Sequence, residues 1–226
     1  MDLSKFTLAV FDIFAYLLPG TLLLVLLSVG EATFLSSSTL KLSQFKQLAV
    51  PFLISAYFLG HLANSVGTVL TERVKWLRVP RGGALSDELF TQIRNRVVLT
   101  FGIDVSTLKN QKLETLAVYK FADSFVVAKD KAAERESLLL REAFALSTLG
   151  VFVSWAVVGV AAVFKGGLAF RIDATTRILL DRGSTIAITG AALVLAFVFW
   201  RRYRRFLLLR RSSIYTLFMA LTAKVP

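Results

Sequence analysis

The sequence predicts an all-α membrane protein, with four transmembrane helices plus a helical cytoplasmic region. Three observations carry this reading. Four stretches are long and apolar enough to cross a bilayer, which takes about 20 mostly apolar helical residues. The 226-residue chain is 55% hydrophobic and still carries a formal net charge of +12. A soluble core rarely holds both, whereas lipid-facing helices with a basic aqueous side do so easily. The Lys and Arg residues are also unevenly shared between the connections.

The first span is Ile13–Gly30, with Pro19-Gly20 inside it as a kink or hinge site. The leading MDLSK is not clearly basic and Asp12 would break a signal-peptide core, so this reads as an uncleaved span. The second span is Leu48–Leu70, closing a hairpin over 1–70. The third and fourth, Ala143–Phe164 and Ser184–Trp200, form a second hairpin over 143–200. The fourth is short unless it extends toward Ile178 or into the tail.

Between the hairpins, residues 71–142 are expected to form a cytoplasmic helical region. Ser86-Asp87-Glu88 starts a helix with Leu89, Ile93, Arg96 and Val97 at helical spacing, and Gly102 stops it. Asp104 or Ser106 caps a second helix, whose apolar face is Leu108, Leu113, Leu116, Phe121, Phe125 and Val126. Ala132–Glu142 contains no breaker, so the third span continues one long helix. The tail, 201–226, is an Arg-rich helix expected to pack under the bundle or lie at the interface.

Charge sets the orientation. Residues 71–142, the tail and Lys5 together hold 21 Lys/Arg, against 6 in the other two connections. The positive-inside rule then places both termini and the middle region in the cytoplasm. The middle region has 13 basic and 10 acidic residues, a mixed surface that does not by itself argue for nucleic acid.

Polar groups inside spans need partners or water. Tyr57, His61, Asn64, Ser65 and Thr68 share one stripe of the second span. They read as a pore lining or as interhelical hydrogen bonding. Ser147 and Ser154 in the third span read as close packing or a narrow pore wall. Asp12 reads as an intramembrane carboxylate or as a helix cap at the boundary. The pore or gate candidates are thus Asp12, Tyr57, His61, Asn64, Thr68, Ser147 and Ser154. Arg94, Arg96, Lys109 and Lys112 are candidates for an anionic ligand. Arg201, Arg202, Arg204, Arg205, Arg210 and Arg211 form a collar for lipid phosphate or ligand.

With no Cys and one His, thiol catalysis, disulfides and zinc clusters are excluded. No phosphate loop, nucleophile elbow, HExxH or dinucleotide fingerprint occurs, so an enzyme, a cofactor and a metal are not expected. Two functions remain. One is an oligomeric channel gated from the cytoplasm, since four helices are too few for a wide private pore. The other is a scaffold or sensor that docks a cytoplasmic partner enzyme.

The opening FDIFAYLLPGTLLLVLL, with Phe11, Asp12, Tyr16, Pro19 and Gly20, and the basic loop leading through ERESLLLREAF into the third span carry a resemblance. Their layout resembles the four-span membrane proteins of bacterial anti-phage defence systems, of the Hailong channel-effector and Kiwa membrane-subunit type. The resemblance carries over no functional residue. It implies a homo-oligomer, such as a tetramer, in the bacterial inner membrane. It further implies activation that permeabilises or depolarises that membrane, under control of a nucleotide, oligonucleotide or protein regulator.

Overall fold

A computed structural model describes residues 3–34, 49–74, 77, 87–103, 105, 111–129, 133–171 and 177–223. Among these residues the chain forms six α-helices and one small hairpin. In order they are α1 (Leu3–Phe34), α2 (Ala49–Arg73), α3 (Asp87–Phe101), α4 (Gln111–Ala128), α5 (Ala133–Phe164), β1 (Ala169–Arg171), β2 (Arg177–Leu179) and α6 (Arg182–Thr222). Four of the helices, α1, α2, α5 and α6, are long and apolar enough to cross a membrane. The hairpin is an addition to the all-α expectation. The chain divides into two compact units, Met1–Leu77 with Arg141–Tyr203, and Arg78–Leu140 with Arg204–Pro226.

In the first unit α1, α2, α5 and α6 pack as antiparallel neighbours, and small residues set the crossings. A Cβ on Gly20 would overlap the Ala56 carbonyl, and one on Gly60 would overlap that of Tyr16. α1 and α2 therefore touch backbone to backbone. The α2–α5 crossing is built the same way, with Gly67 on Leu146 and Gly150 on Ala63. One face of α2, Ala56-Gly60-Ala63-Gly67, thus serves both neighbours, as small residues do where helices meet closely. Gly159 of α5 accepts Thr189 of α6. Larger side chains fill the gaps between crossings, with Leu23, Leu26, Ala63 and Val151 forming one buried cluster. Pro19 is fully buried beside the Gly20 contact, and α1 runs on through it. The expected hinge is a packed crossing.

The end of α5 follows from Gly166 and Gly167, whose φ angles are 100° and 138°. The Gly167 amide donates to the Ala162 carbonyl at 2.9 Å and the Gly166 amide to that of Val163 at 3.3 Å. These two bonds satisfy carbonyls that a helix end would leave open. The turn feeds the hairpin, registered Ala169 to Leu179, Phe170 to Ile178 and Arg171 to Arg177. Thr33 of α1 accepts the Ala169 amide at 2.9 Å, and Thr185 of α6 accepts the Leu168 amide at 3.0 Å. Arg177 donates to the Ala32 carbonyl at 2.9 Å and Lys165 to that of Phe34 at 3.4 Å. Two cations thus close the C-terminal end of α1, where the helix dipole favours positive charge.

The second unit has its own core. Ile93 and Val97 from α3, Val118, Ala122 and Val126 from α4, and Ile214, Tyr215 and Phe218 from α6 are all buried together. Ring contacts add to it, Phe125–Phe218 edge-on with centroids 5.5 Å apart and Phe101–Phe121 tilted at 5.1 Å. The tail therefore packs on α3 and α4. Of the expected α4 face, Val126 is buried and Phe121 and Phe125 pack against this core, Leu108 lies outside the described residues, and Leu113 and Leu116 are corrected. Leu113 is 53% exposed and Leu116 40%, and the buried ridge is Val118, Ala122 and Val126. Helix α3 starts and stops as expected, with Gly102 at a φ of 67° after Phe101. The expected caps Asp104 and Ser106 lie outside the described residues.

Candidate functional site

The most unusual surface in the first unit is one edge of α2. Its small face is turned into the bundle, which forces the neighbouring polar side chains outward. His61 and Ser65 are exposed, while Tyr57, Asn64 and Thr68 are half-buried. They sit among exposed Leu53, Ile54, Phe58, Leu62, Val66 and Val69. The stripe expected from spacing is thus assembled, with His61 and Ser65 at its exposed side and Tyr57, Asn64 and Thr68 partly covered.

Three rings organise the stripe. His61 stacks on Tyr16 of α1, with centroids 3.7 Å apart and planes 18° apart. Tyr57 meets both rings edge-on, at 4.7 Å from His61 and 6.0 Å from Tyr16. The Gly60–Tyr16 backbone contact brings the rings together, because it fixes the register of α1 against α2. Tyr16 is the site residue that spacing within one helix could not reveal. The hydroxyls further along are bonded back to their own helix. Ser65 donates to the His61 carbonyl at 3.1 Å, and Thr68 to that of Asn64 at 2.9 Å. The Asn64 Oδ1 is buried without a hydrogen-bond partner among the described residues.

The third-span candidates are placed differently. Ser147 is fully buried and donates to the Ala143 carbonyl at 2.8 Å, and Ser154 donates to that of Gly150 at 2.8 Å. Both flank Gly150, where α5 meets α2, and their setting is that of close packing. Trp155 in the same span donates its indole N–H to the Leu22 carbonyl of α1 at 3.4 Å. Asp12 lies within α1, which begins at Leu3, so the reading of it as an N-cap is corrected. Its side chain lies outside the described residues.

Two of the four ligand candidates, Arg94 and Arg96, are engaged inside the second unit. Arg94 pairs with Glu114 at 3.2 Å. Arg96 donates to the Thr222 carbonyl at 2.7 Å and so closes the end of α6. Arg135, not among the candidates, forms a two-pronged pair with Asp123. Lys109 and the side chain of Lys112 lie outside the described residues. In the collar, Arg201, Arg202 and Arg205 are exposed, while Arg204, Arg210 and Arg211 are half-buried. Trp200, just before the collar, donates to the Leu77 carbonyl at 3.0 Å.

The fold and this edge define a helical protein with four helices suited to a membrane and one exposed polar stripe. No protein-family model, no curated protein and no solved structure matches the chain.

Proposed function

We propose that this is a multi-pass membrane protein whose copies assemble into a channel or pore-forming effector gated from the cytoplasm. One observation carries the reading, the exposed polar edge of α2 on a helix apolar enough to span a membrane. Hydrocarbon leaves polar groups unsatisfied, so His61 and Ser65 call for water or another protein surface. Copies arranged in a closed ring, such as a tetramer, would turn these edges toward a common axis. The charge distribution supports cytoplasmic termini. The resemblance to anti-phage membrane proteins supplies the setting: the bacterial inner membrane, depolarised or permeabilised on infection, with a nucleotide, oligonucleotide or protein as regulator. The Arg collar remains the candidate for lipid phosphate or an anionic regulator, since Arg94 and Arg96 are used internally.

The chain contains no cysteine, so every introduced thiol reports alone. His61→Cys, Asn64→Cys, Ser65→Cys and Thr68→Cys in liposome-reconstituted protein should react with water-soluble thiol reagents, and labelling should alter ion flux. Protection of all four, with liposomes that stay sealed under every ligand tried, would overturn the channel reading.

A second reading is a membrane scaffold that docks and regulates a cytoplasmic enzyme. It is favoured by the separate core of the second unit, which leaves Leu99 and Leu113 exposed at 76% and 53%. Sealed liposomes together with stable capture of a soluble enzyme by the second unit would select it.

A further inference from the structure

One end of the first unit gathers exposed arginines from three helices. We propose that Arg73, Arg141, Arg201 and Arg202 form a docking surface for the phosphate of an anionic phospholipid, whose acyl chains lie along the apolar side of α6. The inference rests on the multi-pass membrane reading above and is independent of the channel.

Three contacts bring the four to one end. The α2–α5 crossing sets Gly67 on Leu146. Arg73 lies beyond that point in α2 (67 to 73) and Arg141 before it in α5 (146 to 141). The two helices are antiparallel, so both arginines leave the crossing in the same direction, by about 7–9 Å at 1.5 Å per residue. Phe199 of α6 meets Phe144 of α5 with ring centroids 6.0 Å apart. Trp200 donates to the Leu77 carbonyl, just past α2, at 3.0 Å. Arg201 and Arg202 follow directly.

All four arginines are exposed. No hydrogen bond or ion pair joins any of them to a described residue. Glu72 and Glu142 adjoin two of them in sequence, yet Glu142 is buried and both carboxylates are engaged elsewhere. From Arg182 to Pro226 the sequence has no Asp or Glu, so α6 supplies no counter-charge of its own. The opposite end differs, because Lys165 and Arg177 are bonded there to the carbonyls of Phe34 and Ala32. The four arginines thus call for an external anion.

The apolar side of α6 names its source. Val194, Phe197 and Val198 are exposed in the two turns before Arg201 and share its side of the helix at 3.6 residues per turn. A free anion gains nothing from that strip, whereas a phospholipid covers strip and charge together. Long arginine side chains reach past the hydrocarbon edge to headgroup level. A planar guanidinium donates paired bonds to phosphate oxygens. A zwitterionic headgroup carries its own cation beside the phosphate, so a net-anionic headgroup fits better.

The test uses the full chain in non-ionic detergent, with phosphatidylglycerol and phosphatidylcholine of equal chain length. The readout is the rise in thermal midpoint on adding lipid, which also reports that each variant folds. Phosphatidylglycerol should raise the wild-type midpoint by several degrees more than phosphatidylcholine, and added salt should shrink the difference. Arg201→Gln with Arg202→Gln, and Arg73→Gln with Arg141→Gln, should each reduce the difference, and all four changes together should abolish it. Arg182→Gln, which removes an exposed charge at the start of α6, should leave it unchanged. Equal effects of the two lipids, or a difference that survives the four changes, overturn the surface and leave the membrane reading standing. The same rise with glycerol phosphate alone assigns the arginines to a soluble anion and overturns the lipid. A chain that stays dissolved without detergent and fails to float with vesicles of either lipid overturns both.

Discussion

At the scale of single residues, the first unit depends on side chains that are missing. Gly20, Gly60, Gly67 and Gly150 each stand where a Cβ would run into a backbone carbonyl of the facing helix. A carbonyl in a packed helix cannot rotate away, so even one methyl must push two helices apart. Gly30 and Gly190 have open space around the same position. Gly60→Ala and Gly150→Ala should therefore lower the thermal midpoint of the detergent-solubilised protein, by the equivalent of about 1–3 kcal/mol of overpacking. Gly190→Ala should be neutral or slightly stabilising, through a better helix former. Equal midpoints for all three variants would mean that the crossings are looser than their geometry requires. The same crossings place Tyr16 on His61, so Gly60→Ala should also disturb the ring cluster. The sequence marks these glycines as small, but one helix read alone does not say which residue faces them. That is why the polar stripe could be read from spacing while Tyr16, from another helix, could not.

At the scale of elements, helix ends decide how the apolar segments are held. Asp181 precedes α6 and accepts the amides of Gly183 at 3.1 Å and Ser184 at 3.2 Å. This is N-capping, with the side chain taking up donors that the first turn leaves open. The Ser184 hydroxyl first, and then the Ser184 and Gly183 amides, hold the Asp181 carboxyl below its ordinary value of 3.8. The sign follows directly. A carboxyl whose folded value lies below its unfolded value stabilises the folded end at higher pH, and that contribution disappears as pH falls through the folded value. Deuterium exchange at residues 183–185, corrected for intrinsic rates, should thus be flat from pH 7 to pH 5 and rise only in the acid range below 3.8. Asp181→Ala should exchange faster throughout. Wild-type protection that already falls between pH 7 and pH 5 would assign the cap to another group. Element existence was legible where the apolar run was long, as in α1, α2, α5 and α6. The faces of α3 and α4 were less so. Leu113 and Leu116 fit a helical spacing as well as Val118 and Ala122 do, and only the arrival of Ile214 and Phe218 from the far end of the chain decides between them. The hairpin was invisible because three-residue strands carry almost no periodic signal.

For the whole molecule, charge placement and packing give separate views of one arrangement. α5 and α6 each contribute residues to both compact units, and the apolar part of α6 gives way to its Arg cluster after Trp200. Lys165 and Arg177, counted among the few basic residues of the opposite connections, bond to the end of α1. Their charge is tied to a helix terminus. If the collar marks the cytoplasmic side, the start of α6 and its later half must lie on opposite sides of the membrane. Ser184 and Ser212 are both exposed, and serine to cysteine is close to isosteric. In intact cells, Ser184→Cys should react with a membrane-impermeant maleimide, while Ser212→Cys should react only after the membrane is opened. The reverse pattern would invert the topology and place the collar outside. Labelling of both positions in intact cells would mean that α6 does not cross the bilayer between them, and the four-span arrangement would fall with it.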